Sequence, residues 1–114
     1  MSTTFRTFGE FYPYYLSEHA SPLNRVLHFG GTLLVLLLAG ASAWSGEARL
    51  LWALPVAGYG FAWVGHFVVE RNRPATFRHP VWSLMGDFRM FGDMLFGRVS
   101  WTERLPAWGE APSR

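Results

Sequence analysis

The sequence predicts an all-α integral membrane protein built on an antiparallel transmembrane helical hairpin, with short N-terminal and amphipathic C-terminal flanking helices. Half of its 114 residues are hydrophobic and 16% are charged, a balance typical of membrane proteins. Residues 26–46 and 50–69 each contain one side chain that can carry a charge near neutral pH, His28 and His66. Each run is about the 20 residues that cross a bilayer core. We therefore expect a single membrane domain over residues 1–114.

A short aromatic helix is predicted near the N-terminus. Thr7-x-x-Glu10 fits a capping box, in which the threonine side chain accepts a hydrogen bond from the first helical turn. Pro13 is expected to bend or end this helix, because proline cannot donate to the helical ladder. No basic region leads into an apolar run here, so a signal peptide is not expected.

The two transmembrane helices are predicted over about residues 22–44 and 49–72. Ser21 and Pro22 provide a side-chain cap followed by a proline at the first helical position. The second helix is expected to end before Pro74, because proline disfavours the helical conformation in the residue that precedes it.

The distribution of arginine predicts the orientation in the membrane. The turn SGEAR between the helices contains Arg49, and the other nine of the ten arginines flank the opposite end of the hairpin. Cytoplasmic loops carry an excess of basic residues. Both termini are therefore expected in the cytoplasm, in a multi-pass protein of a bacterial-type inner (plasma) membrane.

The C-terminal part contains a helical pattern with a different composition. Charged residues interrupt the apolar positions over about residues 80–98, which indicates an amphipathic helix that lies along the membrane or packs on the hairpin. A third span is the alternative, and the tail at 106–114 is expected to be disordered. The apolar positions at helical spacing are Val81, Leu84, Met85, Phe88, Phe91 and Leu95.

Composition also excludes several functional classes. The basic residues do not cluster with aromatic side chains, so nucleic acid is not an expected partner. The chain contains no cysteine, so any metal has to be bound by nitrogen and oxygen. The sequence leaves open whether the chain forms a homo-oligomer.

Closing the hairpin at its turn brings two histidines to the same depth. His28 lies seventeen residues before Ser45, and His66 lies seventeen residues after Arg49. Both separations correspond to roughly 25 Å at helical rise. Further polar residues lie one helical turn from these histidines or just outside the helices, and we expect them in the same region: Asn24, Glu70, His19 and His79.

This set of side chains suits a metal. Imidazole and carboxylate ligands without thiolate bind iron, copper, nickel or zinc, and two histidines with one carboxylate form the facial site of ferrous oxygenases. Two alternatives remain open from the residues alone. His28 and His66 could be axial ligands of a b-type haem in an electron carrier. The polar cluster could also dock a partner in a non-catalytic membrane subunit.

Two stretches resemble a known family. YYLSEHASPLNRVLHFGGT and WVGHFVVERNRPATFRHPVWSLMGDFRM are similar to the small membrane 2-hydroxy fatty acid dioxygenases, whose eukaryotic members act in phytosphingosine breakdown. The likeness covers about residues 11–98. The resemblance implies a dioxygenase that uses Fe(II), without haem or 2-oxoglutarate. Such an enzyme oxidises a 2-hydroxy fatty acid with dioxygen, at the lipid bilayer, to the acid one carbon shorter.

The resemblance also suggests the catalytic metal ligands. The functional histidines of the family would fall on His19, His28 and His66. Glu70 is the expected carboxylate of the site, and His79 is a further candidate ligand.

The remaining polar residues receive supporting roles. Arg25 and Arg73 are the candidate partners of the substrate carboxylate, because guanidinium groups bind carboxylates through paired hydrogen bonds. Asn24, Asn72 and Asp87 are expected to orient the ligands or to support the fold.

Overall fold

Helices form all the regular structure in residues 5–107, the part of the chain that the computed structural model describes. The all-α prediction is confirmed for these residues, whereas all but the first two residues of the predicted tail at 106–114 lie outside them. A short 3₁₀ turn, Ala75–Phe77, precedes the last helix. The helices in chain order are α1 (Phe8–Ser17), α2 (Pro22–Ser45), α3 (Ala48–Glu70) and α4 (Pro80–Leu95).

Helix α1 begins as its sequence predicts and continues further. The Thr7 hydroxyl accepts a hydrogen bond from the Glu10 backbone N–H at 3.1 Å. The Glu10 carboxylate accepts from the backbone of Arg6, one residue before the usual position in a capping box. Pro13 does not end the helix, which continues to Ser17.

Helices α2 and α3 run antiparallel and approach closely through glycines. Gly31 packs against Phe61, and Gly58 lies beside Val35, so residue numbers rise along one helix as they fall along the other. A Cβ atom on Gly31 would lie 2.9 Å from that of Phe61, which only a glycine avoids. Gly46 ends α2 at φ 75°, a left-handed conformation that glycine adopts without strain.

Helix α3 changes its winding along its length. It ends at Glu70 rather than beside Pro74, and Arg71 follows in the left-handed conformation at φ 61°. A π-helix closes its hydrogen bonds between residues five apart, rather than four apart as in an α-helix. The three parts are a 3₁₀ turn at Ala48–Trp52, an α-helix at Ala53–Trp63 and a π-helix at Val64–Glu70.

The surfaces of α2 and α3 are apolar and exposed. Both helices are long and apolar enough to cross a membrane, and their most hydrophobic windows are only 22% and 17% buried. Core helices of soluble proteins are mostly buried, and large exposed apolar surfaces indicate contact with lipid or protein. Trp44 and Trp52 flank the turn and are 94% and 83% exposed, as interfacial tryptophans are.

The buried core lies beyond the open end of this helix pair. It joins α1, α4 and the segment after α4, and it contains Phe11, Tyr12, Tyr15, Ala75, Met90, Met94 and Val99. Two tyrosines of α1 bind aspartates of α4. The Tyr12 hydroxyl donates to Asp93 at 2.8 Å, and the Tyr15 hydroxyl donates to Asp87. These two bonds join α4 to α1.

Helix α4 turns its apolar stripe outward. Five of the six predicted apolar positions are exposed: Val81, Leu84, Met85, Phe88 and Leu95. The buried face carries small, polar and methionine side chains: Ser83, Gly86, Met90, Asp93 and Met94. The outer side of α4 is therefore apolar, as are the exposed surfaces of α2 and α3.

Candidate metal centre

Three buried histidines meet at the end of the helix pair. His19 comes from the loop after α1, His28 from α2 and His66 from the π-helical part of α3, and all three are at least 95% buried. Their ring centroids are 4.3 to 4.9 Å apart. One ring nitrogen of each lies within 4.8 Å of the others. The predicted meeting of His28 and His66 is confirmed.

Each histidine is oriented by an oxygen behind it. Because these oxygens accept hydrogen bonds, we assign the ring proton to Nδ1 in all three residues, which leaves each Nε2 unprotonated. The acceptors are the Tyr15 carbonyl at 2.6 Å from His19, the Asn24 carbonyl at 3.0 Å from His28 and the Asn72 side-chain oxygen at 2.7 Å from His66.

The unprotonated nitrogens face one another. His19 Nε2 and His28 Nε2 are 3.1 Å apart, a distance at which two lone pairs without a proton between them repel. A cation bound to both removes that repulsion, and metal-ligating histidines typically donate their other N–H to a carbonyl or carboxylate. The donor set therefore fits a metal ion.

Burial keeps His19 in the neutral form that a metal ligand requires. The pKa of His19 lies well below its ordinary value, first because burial disfavours the imidazolium and then because His28 and His66 lie beside it. The ring also stacks on Tyr15, with centroids 4.1 Å apart. A neutral imidazole held in this way is available to coordinate.

Asn72 connects two of the ligands. Its side-chain N–H donates to the Glu18 carbonyl at 3.1 Å, which directs its oxygen at His66. Glu18 is the residue before His19, so one amide links the loop of the first histidine to the ring of the third. This is an orienting role of the kind expected for Asn72.

Glu70 lies outside the histidine cluster. Its carboxylate accepts hydrogen bonds from the Ser21 backbone N–H at 2.6 Å and from the Asn24 amide at 3.2 Å. Glu70 is therefore not among the side chains that meet in the cluster. The predicted cap from the Ser21 side chain is wrong, because Ser21 precedes α2 without a side-chain cap.

His79 is also separate from the cluster. Its ring packs among aromatic side chains, with centroid distances of 5.6 Å to Phe5, 5.1 Å to Phe11 and 5.8 Å to Trp82. Within residues 5–107, His19, His28 and His66 are the only group of three or more histidine or carboxylate side chains close enough to share one metal ion. The predicted meeting of all four histidines is therefore reduced to three.

Arg25 is fully buried and clasps two segments of backbone. Its guanidinium donates to the carbonyls of His19 at 2.9 Å and Ala20 at 2.8 Å on one side. On the other side it donates to the carbonyls of Ser100 at 3.0 Å and Glu103. The expected partner of a substrate carboxylate thus joins the loop of His19 to residues 97–105, which follow α4.

Asn24 and Gly65 are packed tightly behind the histidines. The Asn24 side-chain oxygen is buried without a hydrogen-bond partner and lies against Gly65. A Cβ atom at position 65 would lie 1.8 Å from this oxygen and 3.5 Å from the His28 ring. Position 65 therefore has to be glycine for Asn24 and His28 to keep their places.

A narrow cavity opens beside the histidines. Its volume is about 10 Å³, the space of a single water molecule. None of the described residues that line it is an arginine, and Arg73 is exposed. Besides the histidines, the lining side chains with polar atoms are Tyr15, Tyr59, Trp63, Thr76, Ser83 and Asp87.

Two features of this cavity bear on its chemistry. Burial raises the pKa of Asp87 to about 6, although the hydrogen bond from Tyr15 acts in the opposite direction. A second space of about 50 Å³ shares His28 and Asp87 with the first. The other residues that line it are largely apolar: Thr32, Val35, Gly58, Leu84 and Phe88.

Sequence reasoning missed several residues of this cavity. Ser83 and Thr76 belong to no metal or catalytic motif. Two signals were available: both residues stand in the second stretch that resembles the family, and Ser83 lies four residues before Asp87 on the same face of the predicted amphipathic helix. No pattern in the sequence distinguishes the π-helical segment from an α-helix.

Comparison with known proteins identifies the family. The family model described as 2-hydroxy-palmitic acid dioxygenase Mpo1-like matches residues 5–99. The chain belongs to this family. The match covers α1 to α4 and includes all three clustered histidines, so the Mpo1-like resemblance of the sequence motifs is confirmed. No curated protein and no solved structure matches the chain.

Proposed function

We propose that this protein is an iron(II)-dependent dioxygenase that converts 2-hydroxy fatty acids to the fatty acid one carbon shorter. The observation that carries the proposal is the buried cluster of His19, His28 and His66, with each Nδ1 held by an oxygen and with two Nε2 atoms 3.1 Å apart. Imidazole ligands alone would also suit zinc or copper. Membership in the Mpo1-like family favours iron, since its description names a dioxygenase.

The chemical balance of the reaction supports independence from 2-oxoglutarate. Oxidation of R-CH(OH)-COOH by one dioxygen to R-COOH, carbon dioxide and water breaks the bond between C1 and C2 and balances all atoms. Dioxygen accepts all four electrons that the substrate loses, so no reductant or co-substrate is needed. Ferrous iron held by the three histidines would supply the dioxygen chemistry.

The protein's own residues hold and shield this centre. Tyr15 and Asn72 orient the histidines, and the ring of Tyr15 covers one face of His19. Glu70 supports the site from outside the cluster by joining α3 to the start of α2. The narrow cavity limits the water that can reach the ligands.

The membrane position suits a lipid substrate. In this proposal α2 and α3 cross a bacterial-type inner membrane as a hairpin, with both termini in the cytoplasm and the histidines near the cytoplasmic interface. Exposed apolar side chains on both helices, the exposed tryptophans at the turn and the arginines at the other end support this orientation. The acyl chain would then remain in lipid while its polar end enters the cavity.

The histidine spacing disfavours the haem alternative. Axial imidazoles bind a haem iron from opposite faces of the macrocycle. The centroids of the His28 and His66 rings are 4.9 Å apart, and His19 lies between 4 and 5 Å from both, which leaves no space for a porphyrin. A small non-haem ion fits the same positions.

The test is metal analysis with a product assay on the purified full chain in detergent. Iron-loaded protein should convert 2-hydroxypalmitate to the C15 acid, with one dioxygen consumed and one carbon dioxide released per turnover. Protein loaded with zinc is the control, because it should keep its fold and be inactive. A Soret band from bound haem, or iron-loaded protein that leaves 2-hydroxypalmitate unchanged, would contradict the proposal.

A further inference from the structure

We propose that Ser83 is a substrate-binding residue whose hydroxyl holds the oxygen-bearing end of the 2-hydroxy acid. This role rests on the proposed function. Ser83 lines the cavity beside the three histidines and is 2% exposed. Its Oγ atom is one of two buried side-chain polar atoms without a hydrogen-bond partner in the described part of the chain.

An unpartnered hydroxyl in this position calls for a ligand. A serine within a helix commonly bonds back to the carbonyl four residues earlier. The His79 carbonyl accepts the Ser83 backbone N–H at 2.8 Å, but the Ser83 hydroxyl has no bond to it. Burying a hydroxyl without a partner is unfavourable, and the adjoining cavity is the place from which a partner can come.

The size and lining of the cavity define that partner. A space of about 10 Å³ accepts one oxygen-sized group, and such a group must contact the lining. Since no arginine lines the cavity and Arg25 is occupied by backbone carbonyls, a carboxylate or hydroxyl oxygen depends on neutral donors. Tyr15 already donates to Asp87, so Ser83 is the buried donor still available.

The two cavities beside Ser83 indicate how the substrate would be oriented. Asp87 lies one helical turn further along α4, lines the same cavity and also borders the second space. That second space is walled by apolar side chains including Val35, Leu84 and Phe88. The polar end of the substrate would therefore contact Ser83, and its first methylene groups would pass Asp87 towards Phe88.

The experiment compares Ser83→Ala with Ser42→Ala in the iron-loaded full chain. Ser42 is a matched control, because it is also buried but donates to the Glu47 carbonyl at the opposite end of the helix pair. Binding of 2-hydroxypalmitate and of palmitate is measured without oxygen, and KM and kcat for 2-hydroxypalmitate with oxygen. Ser83→Ala should keep its iron, bind 2-hydroxypalmitate about tenfold more weakly and raise KM accordingly.

The two ligands distinguish which oxygen Ser83 binds. Equal weakening for both acids identifies the carboxylate, and weakening for 2-hydroxypalmitate alone identifies the hydroxyl. Ser42→Ala should bind both acids as the wild type does. Ser83→Cys, which keeps the volume but donates weakly, should lie between wild type and Ser83→Ala and serves if the alanine variant is poorly produced.

Failure of this inference can be separated from failure of the proposed function. Wild-type protein that oxidises 2-hydroxypalmitate, together with a Ser83→Ala variant that binds both acids normally, would overturn the role of Ser83 alone. Iron-loaded wild-type protein that neither binds nor oxidises 2-hydroxypalmitate would overturn the proposed function itself.

Discussion

At the scale of single residues, His66 and His79 test which histidines belong to the metal centre. His66 is 2% exposed and lies in the cluster, whereas His79 packs among Phe5, Phe11 and Trp82. We expect His66→Ala to lower iron affinity at least tenfold, because even the loss of a residue behind a ligand costs about 10- to 100-fold. His79→Tyr should retain iron, since tyrosine preserves the ring packing.

Metal titration of the two purified variants checks this prediction. Circular dichroism should be unchanged in both, so that a difference in iron content reflects the site. Equal loss of iron from both variants would make His79 a ligand, and undiminished iron in His66→Ala would remove His66 from the centre.

Asp87 gives a second prediction at this scale, for the metal-free protein. Burial raises its pKa from 3.8 to about 6, so the folded protein binds a proton more tightly than the unfolded chain. The Asp87 contribution to stability should therefore be greatest below pH 3.8 and fall by roughly 1–3 kcal/mol as the pH rises through 6, whereas the burial of neutral His19 acts in the opposite direction. Asp87→Asn, which keeps an acceptor for the Tyr15 hydroxyl, should lack this fall.

Unfolding measured at several pH values in one detergent checks the sign and the range. The quantity to compare is the difference in unfolding free energy between wild type and Asp87→Asn, because the buried histidines affect both proteins alike. A difference that shifts in favour of the wild type between pH 4 and 6 would mean that the folded protein favours the Asp87 carboxylate.

At the scale of the helices, the π-helical part of α3 depends on glycine. A Cβ atom at Gly65 would overlap the Asn24 side chain at 1.8 Å, whereas one at Gly60 would meet nothing within 4 Å. We expect Gly65→Ala to destabilise the protein by about 1–3 kcal/mol and to weaken metal binding, because Asn24 and His28 must move. Gly60→Ala should be neutral or stabilising by about 0.5–1 kcal/mol, as in other helix interiors.

Thermal unfolding and iron titration of this glycine pair give the comparison. Similar behaviour of the two variants would show that the contact between Asn24 and Gly65 relaxes without affecting the site.

Arg25 provides a second prediction about elements, because it joins two of them. Arg25→Gln should destabilise the protein by about 2 kcal/mol or more, since buried carbonyls lose a charged donor. Trypsin should then cleave faster after Arg98 and Arg104, and iron affinity should fall as the loop of His19 loosens. Arg25→Lys should restore little of the lost stability and iron affinity, because an ammonium group cannot reproduce the planar arrangement of donors.

The exposed Arg73 provides the matched control for the Arg25 substitution. Arg73→Gln should leave both the proteolysis rate and the iron affinity at wild-type values. Slow cleavage and full iron affinity in Arg25→Gln would show that other contacts hold residues 97–105.

The helices also show what the sequence could and could not predict of the site. Counting residues from the turn was sufficient to predict that His28 meets His66, because in antiparallel helices with a short connection, residues equally far from the turn lie side by side. The same counting did not bring Glu70 into the cluster, because its carboxylate instead accepts hydrogen bonds from Ser21 and Asn24 at the start of α2, which helical spacing does not predict. The partners of Arg25 were beyond prediction, because they are backbone carbonyls far along the chain.

At the scale of the whole molecule, the arginines and the exposed apolar helices predict one orientation in the membrane. Reporters fused at either terminus should read cytoplasmic, and a reporter inserted between Gly46 and Glu47 should read external. A periplasmic C-terminus would mean that α4 crosses the bilayer. Reversing the balance by adding arginines to the turn is the control, and it should disturb or invert insertion.

Which face of α4 is buried could not be predicted from the sequence pattern. Periodicity identified the apolar positions of the helix, including Leu84 and Phe88, but it could not tell which face would be buried. In a soluble protein the apolar face packs inward, whereas here Ser83 and Asp93 point into the protein and the apolar side chains are exposed. Which face of α4 is buried depends on whether water or lipid surrounds the helix, and the sequence does not state this directly.

The Arg25 clasp also sets an order of events during synthesis. The carbonyls of Ser100 and Glu103, which Arg25 binds beside the loop of His19, leave the ribosome after both apolar helices. The helix pair can enter the bilayer and bring His28 to His66 before those residues exist, but the loop of His19 is secured only when they arrive. In the proposed membrane arrangement, the three-histidine site can be completed only after residues 100–103 have been made, so metal binding is expected to be a late step of maturation.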